Sequence, residues 1–125
     1  MILLLDAHAL VWWAEGRATL SDAARRAIAD PANDVVVSAA SIWQLSIKQE
    51  LGKIRLDVDL EAEIERFGFS GLPITIADAV AAGALPRHHG DPFDRMLIAQ
   101  AARLDAVVVT RDRAFGAYDV HVLTA

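Results

Sequence analysis

The chain opens with Ile2-Leu3-Leu4-Leu5-Asp6, in which four consecutive apolar residues end at a carboxylate. An apolar run without polar alternation indicates a strand that is buried on both of its faces. Two further runs have the same character, namely Val35–Val37 and Ala106–Val109. Because strands buried on both faces are typical of parallel sheets covered by helices, these runs predict an α/β fold.

Segments with helical signals separate the apolar runs. Ser21 and Asp91 are good N-cap residues ahead of two of these segments, and Gly16 and Gly52 are natural stops after two others. The predicted helices are Ala7–Glu15, Asp22–Ala29, Ala39–Leu51, Leu60–Phe67, Ile76–Ala84 and Pro92–Leu104. The remaining predicted elements are an extended piece at Leu72–Ile74, a short helix at Arg113–Tyr118 and a terminal strand at Val120–Leu123. The alternation predicts a parallel sheet covered on both faces, within a single domain spanning residues 1–125.

The composition narrows the class of protein. A chain of 125 residues, 54% of them hydrophobic, can bury a substantial core, and no apolar run approaches the roughly 20 residues that cross a bilayer. The absence of cysteine excludes disulfides and thiolate zinc sites, which fits a cytoplasmic protein. The net charge of −5 is unlike that of passive duplex binders, which carry a basic excess. An acidic chain can still act on nucleic acid when carboxylates bind metal, since the cation inverts the sign of the site.

Three acidic residues stand where a parallel sheet binds its ligands, beyond the carboxyl ends of the strands. Asp6 follows the first strand, Asp112 lies just past the Ala106–Val109 strand, and Asp94 falls early in a largely apolar helix. Taken singly, Asp6 and Asp112 could be helix N-caps and Asp94 could face solvent. Together they offer the oxygen ligands that Mg²⁺ prefers, and such an ion can activate water and stabilise charge on a phosphate.

Other chemistries fit the sequence less well. There is no glycine-rich phosphate loop and no nucleophile-elbow pattern. A phosphatase of the haloacid-dehalogenase type needs a second Asp two residues after Asp6, where this chain has His8. His88 and His89 are adjacent instead of four residues apart, which argues against a helical zinc pair. We expect both histidines in an exposed loop, with contact to an RNA phosphate as the alternative. Core packing is expected for the tryptophans at helix positions: Trp12, Trp13 and Trp43.

Four motifs, in order along nearly the whole chain, resemble those of PIN-domain toxins of the VapC type. They are LDAHAL at Leu5–Leu10, SAASIW at Ser38–Trp43 followed by Lys48 and Gly52-Lys53, LPRHHGDPFDRMLIAQA at Leu85–Ala101, and TRD at Thr110–Asp112 followed by Phe115 and Tyr118. The long third motif is highly specific, whereas the first and the fourth would be weak alone. The resemblance implies a three-layer α/β/α PIN-like fold with a parallel sheet of strand order 3-2-1-4-5.

The resemblance also implies a function. It points to the toxin component of a type II toxin–antitoxin system, an endoribonuclease that hydrolyses RNA phosphodiester bonds with a water activated by Mg²⁺, or by Mn²⁺ as a substitute. It further implies a homodimer and neutralisation by a cognate antitoxin protein. We expect no association with membranes.

Site residues follow from the resemblance by position. Asp6, Asp94 and Asp112 correspond to the metal-binding carboxylates of the family. Thr110 would orient a water or a ligand through its hydroxyl, and Asp91 would cap the helix or serve as an accessory metal ligand. Three nearby arginines would contact RNA phosphate, with solvated surface as the alternative: Arg95, Arg111 and Arg113.

One position departs from the family's pattern. The family usually carries Glu immediately after the Ser-Ile-Trp run, at a catalytic position, and this chain has Gln44 there. A glutamine keeps an oxygen ligand but loses the negative charge. Two hypotheses follow. The first is a metal-dependent ribonuclease whose activity is reduced by Gln44, and the alternative is a catalytically weakened PIN module that binds antitoxin or RNA without efficient turnover.

Overall fold

A computed structural model describes all 125 residues, and a five-stranded parallel sheet lies at its centre. The strands are β1 (Ile2–Leu5), β2 (Asp34–Ser38), β3 (Ser70–Leu72), β4 (Val107–Thr110) and β5 (His121–Thr124). They pair in the order β3-β2-β1-β4-β5, and every pair is parallel. The predicted α/β class and strand order are therefore confirmed.

Helices cover both faces of the sheet. They are α1 (Ala7–Ala14), α2 (Asp22–Ala29), α3 (Ala39–Glu50), α4 (Leu60–Arg66), α5 (Ile76–Ala84) and α6 (Pro92–Leu104), and a 3₁₀ helix (Arg113–Ala117) follows β4. Leu3 and Leu5 of β1 join the core cluster that α1 to α4 contribute to, whereas Leu4 joins the cluster of α6 and the 3₁₀ helix. Side chains alternate across a strand, so one apolar run supplies both layers. None of these helices is both long and apolar enough to span a membrane.

The sheet differs from the prediction at one edge. The extended piece predicted at Leu72–Ile74 is the edge strand β3, which begins two residues earlier at Ser70 and ends at Leu72. Gly71 is a weak strand former and gave no signal, and Pro73 ends the strand because it has no N–H to donate. The other elements agree with the prediction to within one residue at each end.

The tryptophans divide into two groups. Trp12 and Trp13 are half-buried and pack against the core, as predicted. The prediction is wrong for Trp43, whose 62% exposure places it at the surface, where its ring meets the edge of Phe93 with centroids 5.4 Å apart. Trp43 lies two residues from the buried Ser41 of α3. With 3.6 residues per turn, two residues amount to more than half a turn, so Trp43 lies on the opposite side of the helix.

Candidate active site

A cleft of about 140 Å³ lies at the carboxyl ends of β1 and β4. It brings together Asp6, Asp94 and Asp112, which are distant in sequence, and it also contains Gln44 of α3. The rest of its lining consists of Ala7, His8, Lys48, Asp91 and Arg111. Parallel strands end at one edge of the sheet, so the residues that follow them converge there.

Asp6 is the most buried acid of the cleft, with 5% of its surface exposed. Its Oδ1 accepts the N–H of Ala9 at 2.8 Å and so caps α1. Its Oδ2 accepts the hydroxyl of Thr110 at 2.6 Å. Burial raises the pKa of the Asp6 carboxyl, and these two hydrogen bonds partly counteract the rise. Asp6 is therefore a helix cap and a cleft residue at once.

Thr110, the last residue of β4, connects two of the acids. Its buried hydroxyl donates its one hydrogen to Asp6 and accepts the backbone N–H of Asp112 at 3.1 Å. In this geometry the Thr110 hydroxyl orients the Asp6 carboxylate. This hydroxyl was expected to orient a water or a ligand, and in the structure it holds Asp6, one of the expected metal ligands.

Asp94 lies in the first turn of α6, behind the N-cap Asp91. Burial, followed by the negative charge of Asp91, raises the pKa of the Asp94 carboxyl to about 6. Its Oδ2 lies 3.0 Å from Nε2 of His89, within ion-pair distance. Asp91 accepts the N–H groups of Phe93 and Asp94, so the predicted capping role is confirmed.

Asp112 follows β4 and caps the 3₁₀ helix. Its Oδ1 accepts the N–H of Ala114 at 2.9 Å, and this hydrogen bond lowers the pKa of the Asp112 carboxyl. Its Oδ2 is 2.8 Å from Nε2 of His89. As with Asp6, the capping role and the position in the cleft coexist.

His89 is the residue that sequence reasoning missed. It was expected in an exposed loop, yet only 13% of its side chain is exposed and its ring bridges Asp94 and Asp112. His88, its neighbour, is exposed as predicted. The loop is closed by the Tyr118 hydroxyl, which accepts the N–H groups of both histidines and donates to the carbonyl of Pro86. A signal did exist: His89 sits two residues before the N-cap Asp91, within the most specific motif.

The three arginines that were expected to contact RNA differ in what their side chains contact. The Arg95 guanidinium is occupied by carbonyls of the loop that precedes α6, among them those of Leu85 and Pro86, so Arg95 is a structural residue. Arg111 lines the cleft, but it donates to the carbonyls of Thr19 and Ala125. Arg113 is exposed.

Lys48 follows the SAASIW motif, and the sequence predicted no role for it. It follows Gln44 by four residues on α3, which places both side chains on one face of the helix, and both line the cleft. Lys48 forms no ion pair with any carboxylate of the chain, so its positive charge is free.

The donors of the cleft fit a hard divalent cation. Nε2 of His89 and one carboxylate oxygen each of Asp94 and Asp112 all lie within 4.8 Å of one another. Asp6, fixed by Thr110, borders the same cleft. Carboxylate oxygens at this density are typical ligands of Mg²⁺, which binds through one or two carboxylates and keeps several waters for substrate phosphate to share.

Comparison with known proteins agrees with this geometry. The model of the PIN-domain family matches residues 3–120, so the chain belongs to the PIN-domain family. Within the family it is of the VapC type: it is 33% identical over 114 residues to Ribonuclease VapC22 of Mycobacterium tuberculosis, an alignment covering 89% of this chain and 87% of that relative.

Solved structures share the fold over nearly the whole chain. VapBC2 from Rickettsia felis, bound to a DNA fragment from its promoter, has a TM-score of 0.71 at 14% identity and 98% coverage of both chains. A toxin–antitoxin complex from Klebsiella pneumoniae has a TM-score of 0.67 at 18% identity, covering 98% of this chain and 96% of that one. At such identities the likeness establishes the three-layer fold.

Proposed function

We propose that this VapC-type protein is the toxin of a type II toxin–antitoxin system and a Mg²⁺-dependent endoribonuclease. The observation that carries the proposal is the convergence of Asp6, Asp94 and Asp112 in one cleft at the carboxyl edge of the sheet. The relative from Mycobacterium tuberculosis is named a ribonuclease, which supports RNA as the substrate. We take residues 1–125 to act as one domain.

Four residues that line the cleft have a role in the proposed reaction. Asp94 and Asp112 would bind the cation, and Asp6, held by Thr110, would complete the oxygen ligands on the side of β1. When bound, Mg²⁺ lowers the pKa of a coordinated water and stabilises the negative charge of the scissile phosphate. Lys48, which lines the cleft and has no counterion in the chain, would bind a phosphate oxygen of the RNA.

Cleavage of a long structured RNA, with Mg²⁺ or Mn²⁺ and with a chelator, tests the proposal. We expect cleavage only with the metal. Asp6→Asn should reduce the rate at least about 100-fold, since even changes behind the ligands of a metal site have effects of 10–100-fold. Glu65→Gln, on the exposed side of α4, is the matched control and should leave the rate unchanged. Equal cleavage in chelator would contradict the metal-dependent mechanism.

A second candidate rests on Gln44, which lies in the cleft where the family usually has Glu. In that case the chain is a weakened PIN module that binds antitoxin or RNA without efficient turnover. Single-turnover cleavage beside RNA binding separates the two candidates. Tight RNA binding with no cleavage, at metal concentrations that saturate the protein, would favour the binding module.

The proposed partner is an antitoxin that covers the cleft with a basic side chain. Four aspartates line the cleft, and the charges of Asp91, Asp6 and Asp112 all raise the pKa of Asp94, which shows their mutual repulsion. An inserted Arg or Lys would relieve this repulsion. A structure of the complex tests it: an antitoxin bound far from Asp6 and Asp94 would contradict the proposal.

The chain is also proposed to form a homodimer through α5. Ile76 and Val80 of this helix are 87% and 69% exposed, and they lie four residues apart on one apolar face. Light scattering should give the mass of a dimer at micromolar concentration, and Val80→Glu should shift it to the monomer. A wild-type monomer would contradict the dimer. We further propose a cytoplasmic location, where the RNA substrate is found.

A further inference from the structure

His89 makes contacts through both ring nitrogens, and one of these contacts determines where its proton lies. Nδ1 is 3.1 Å from the backbone N–H of Asp91, a group that can only donate. Nδ1 must therefore carry a lone pair, and the ring proton must be on Nε2. Turning the ring over would bring carbon atoms to both polar contacts, so the two hydrogen bonds together define the orientation.

Nε2 of His89 lies close to two carboxylates that come from different elements. It lies 2.8 Å from Oδ2 of Asp112, after β4, and 3.0 Å from Oδ2 of Asp94, in α6. The contact with Asp112 is a hydrogen bond, and the contact with Asp94 is an ion-pair contact with the same ring nitrogen. The hydrogen bond to Asp112 has a charged acceptor, which makes it stronger than a neutral one.

We propose that His89 is a positioning residue that holds Asp94 and Asp112 together for the cation, and that it is not itself a metal ligand. The inference rests on the proposed function, because it assigns a role within the same cleft. In this geometry Nε2 has no free lone pair. If Nε2 bound a metal, the proton would move to Nδ1, where it would face the N–H of Asp91 and break that hydrogen bond.

The alternative is a mixed nitrogen and oxygen site, since the ligand atoms of His89, Asp94 and Asp112 lie within 4.8 Å of one another. Transition metals such as Co²⁺ and Zn²⁺ favour imidazole, whereas Mg²⁺ and Mn²⁺ suit carboxylates and water. The two arrangements therefore predict different metal preferences. The ring proton on Nε2 favours the oxygen-only site.

The protein restrains His89 in this position from three sides. The Tyr118 hydroxyl accepts the backbone N–H of His89 at 2.8 Å, and Arg95 donates to its carbonyl at 3.3 Å. The ring also stands edge-on to Phe115, with centroids 5.9 Å apart. A side chain held so firmly is suited to fixing its partners, in the way that groups behind metal ligands orient them.

Three measurements without RNA test the proposal. Imidazole ¹⁵N spectra of the metal-free protein should show His89 protonated on Nε2 alone. In calorimetric titrations, His89→Leu should bind Mn²⁺ about 10–100-fold more weakly, His89→Gln should recover most of the affinity through its amide N–H, and the control His88→Gln should match wild type. The visible spectrum of bound Co²⁺ should be the same in wild type and His89→Gln.

Each contrary outcome has a defined meaning. A His89 proton on Nδ1, or a Co²⁺ spectrum that changes when His89 is replaced, would overturn the proposal in favour of a nitrogen ligand. Equal Mn²⁺ affinity in wild type and His89→Leu would remove the positioning role while leaving the proposed function intact. Absence of Mn²⁺ binding in the wild type would overturn both. The ¹⁵N measurement uses the wild-type protein and so does not depend on the folding of any variant.

Discussion

Asp78 and Asp94 occupy the same position in two consecutive helices, the third residue of the first turn, yet their environments are opposite. Asp78 is 1% exposed and forms a bidentate ion pair with Arg103, whose Nε and Nη2 lie 2.6 and 3.0 Å from its oxygens. This guanidinium lowers the pKa of Asp78 to about 2. Burial and the charge of Asp91 raise the pKa of Asp94 to about 6.

The comparison shows that burial alone does not decide the state of a carboxylate. Asp78 has a cation from its own chain and completes the capping box of α5 with Thr75, so its charge is balanced within the fold. Asp94 has only the nearby imidazole of His89, 3.0 Å away, and is surrounded by other acids. A carboxylate whose charge is left unbalanced by the fold is a candidate for binding an external cation, from a metal or from a partner.

Replacing each of the two aspartates by asparagine gives the largest expected effect. Asp78→Asn should lower the free energy of unfolding by about 2–3 kcal/mol, less than a fully buried pair because Arg103 is partly exposed and can be hydrated. Asp94→Asn should instead raise it by about 1 kcal/mol in metal-free buffer, because a repelled charge is removed. Urea denaturation at neutral pH measures both. A loss of stability in both variants would contradict the comparison.

The pH dependence of the two carboxyls should also be opposite. The pKa of folded Asp78 is lowered from 3.8, so its contribution to stability is present above about pH 4 and is lost as the pH falls towards 2. The pKa of Asp94 is raised, and this proposed metal ligand must ionise before a cation binds. Mn²⁺ affinity should therefore fall about 10-fold between pH 7 and pH 5, as the fraction of ionised Asp94 falls. Calorimetric affinity that is constant over this range would contradict the prediction.

Sequence could predict the parts of this molecule that depend on local pattern. The β-branched and leucine runs predicted the central strands, and the position of Asp6 after such a run predicted its place at the sheet edge. The pair of Asp78 with Arg103 was out of reach because it joins residues 25 positions apart, and nothing local marks the partners. His89 lies in a specific motif, but its contact was missed because its partner Asp112 is 23 positions away.

The sequence also predicted only in part which side chains of a helix are buried and which are exposed. Trp43 was expected in the core from its residue type, but the helix turns that position away from the sheet. Arg95 was expected to meet RNA or solvent, yet it binds the carbonyls of a loop whose course no pattern predicted. In both cases the side chain's surroundings depend on tertiary packing, which overrides the preference of the residue itself.

The smallest effect concerns Gln44, whose replacement by Glu restores a charge to the cleft. Two unit charges at contact interact by about 4 kcal/mol at an effective dielectric near 20, and the term doubles for a divalent ion. Desolvation of the carboxylate and its repulsion from the neighbouring acids offset much of this gain. Lys48, four residues on, would also pair with the new carboxylate, a contact of about 0.3–0.5 kcal/mol on a helix.

We therefore expect Gln44→Glu to bind Mn²⁺ about 10-fold more tightly, which is the usual scale for a single change around a metal site. Cleavage should also be faster, and the fold should be unchanged. Pairing of Lys48 with the new carboxylate of Gln44→Glu would withdraw that ammonium from its proposed contact with RNA phosphate, so kcat should rise while KM for RNA rises too. Gln49→Glu makes the same change of charge on the exposed side of α3 and should alter neither value. Calorimetry with Mn²⁺ and steady-state cleavage of all three proteins measure these differences. If Gln44→Glu binds Mn²⁺ no better than Gln49→Glu does, residue 44 takes no part in the metal site. The absence of a carboxylate at this position would then have no effect on cation binding.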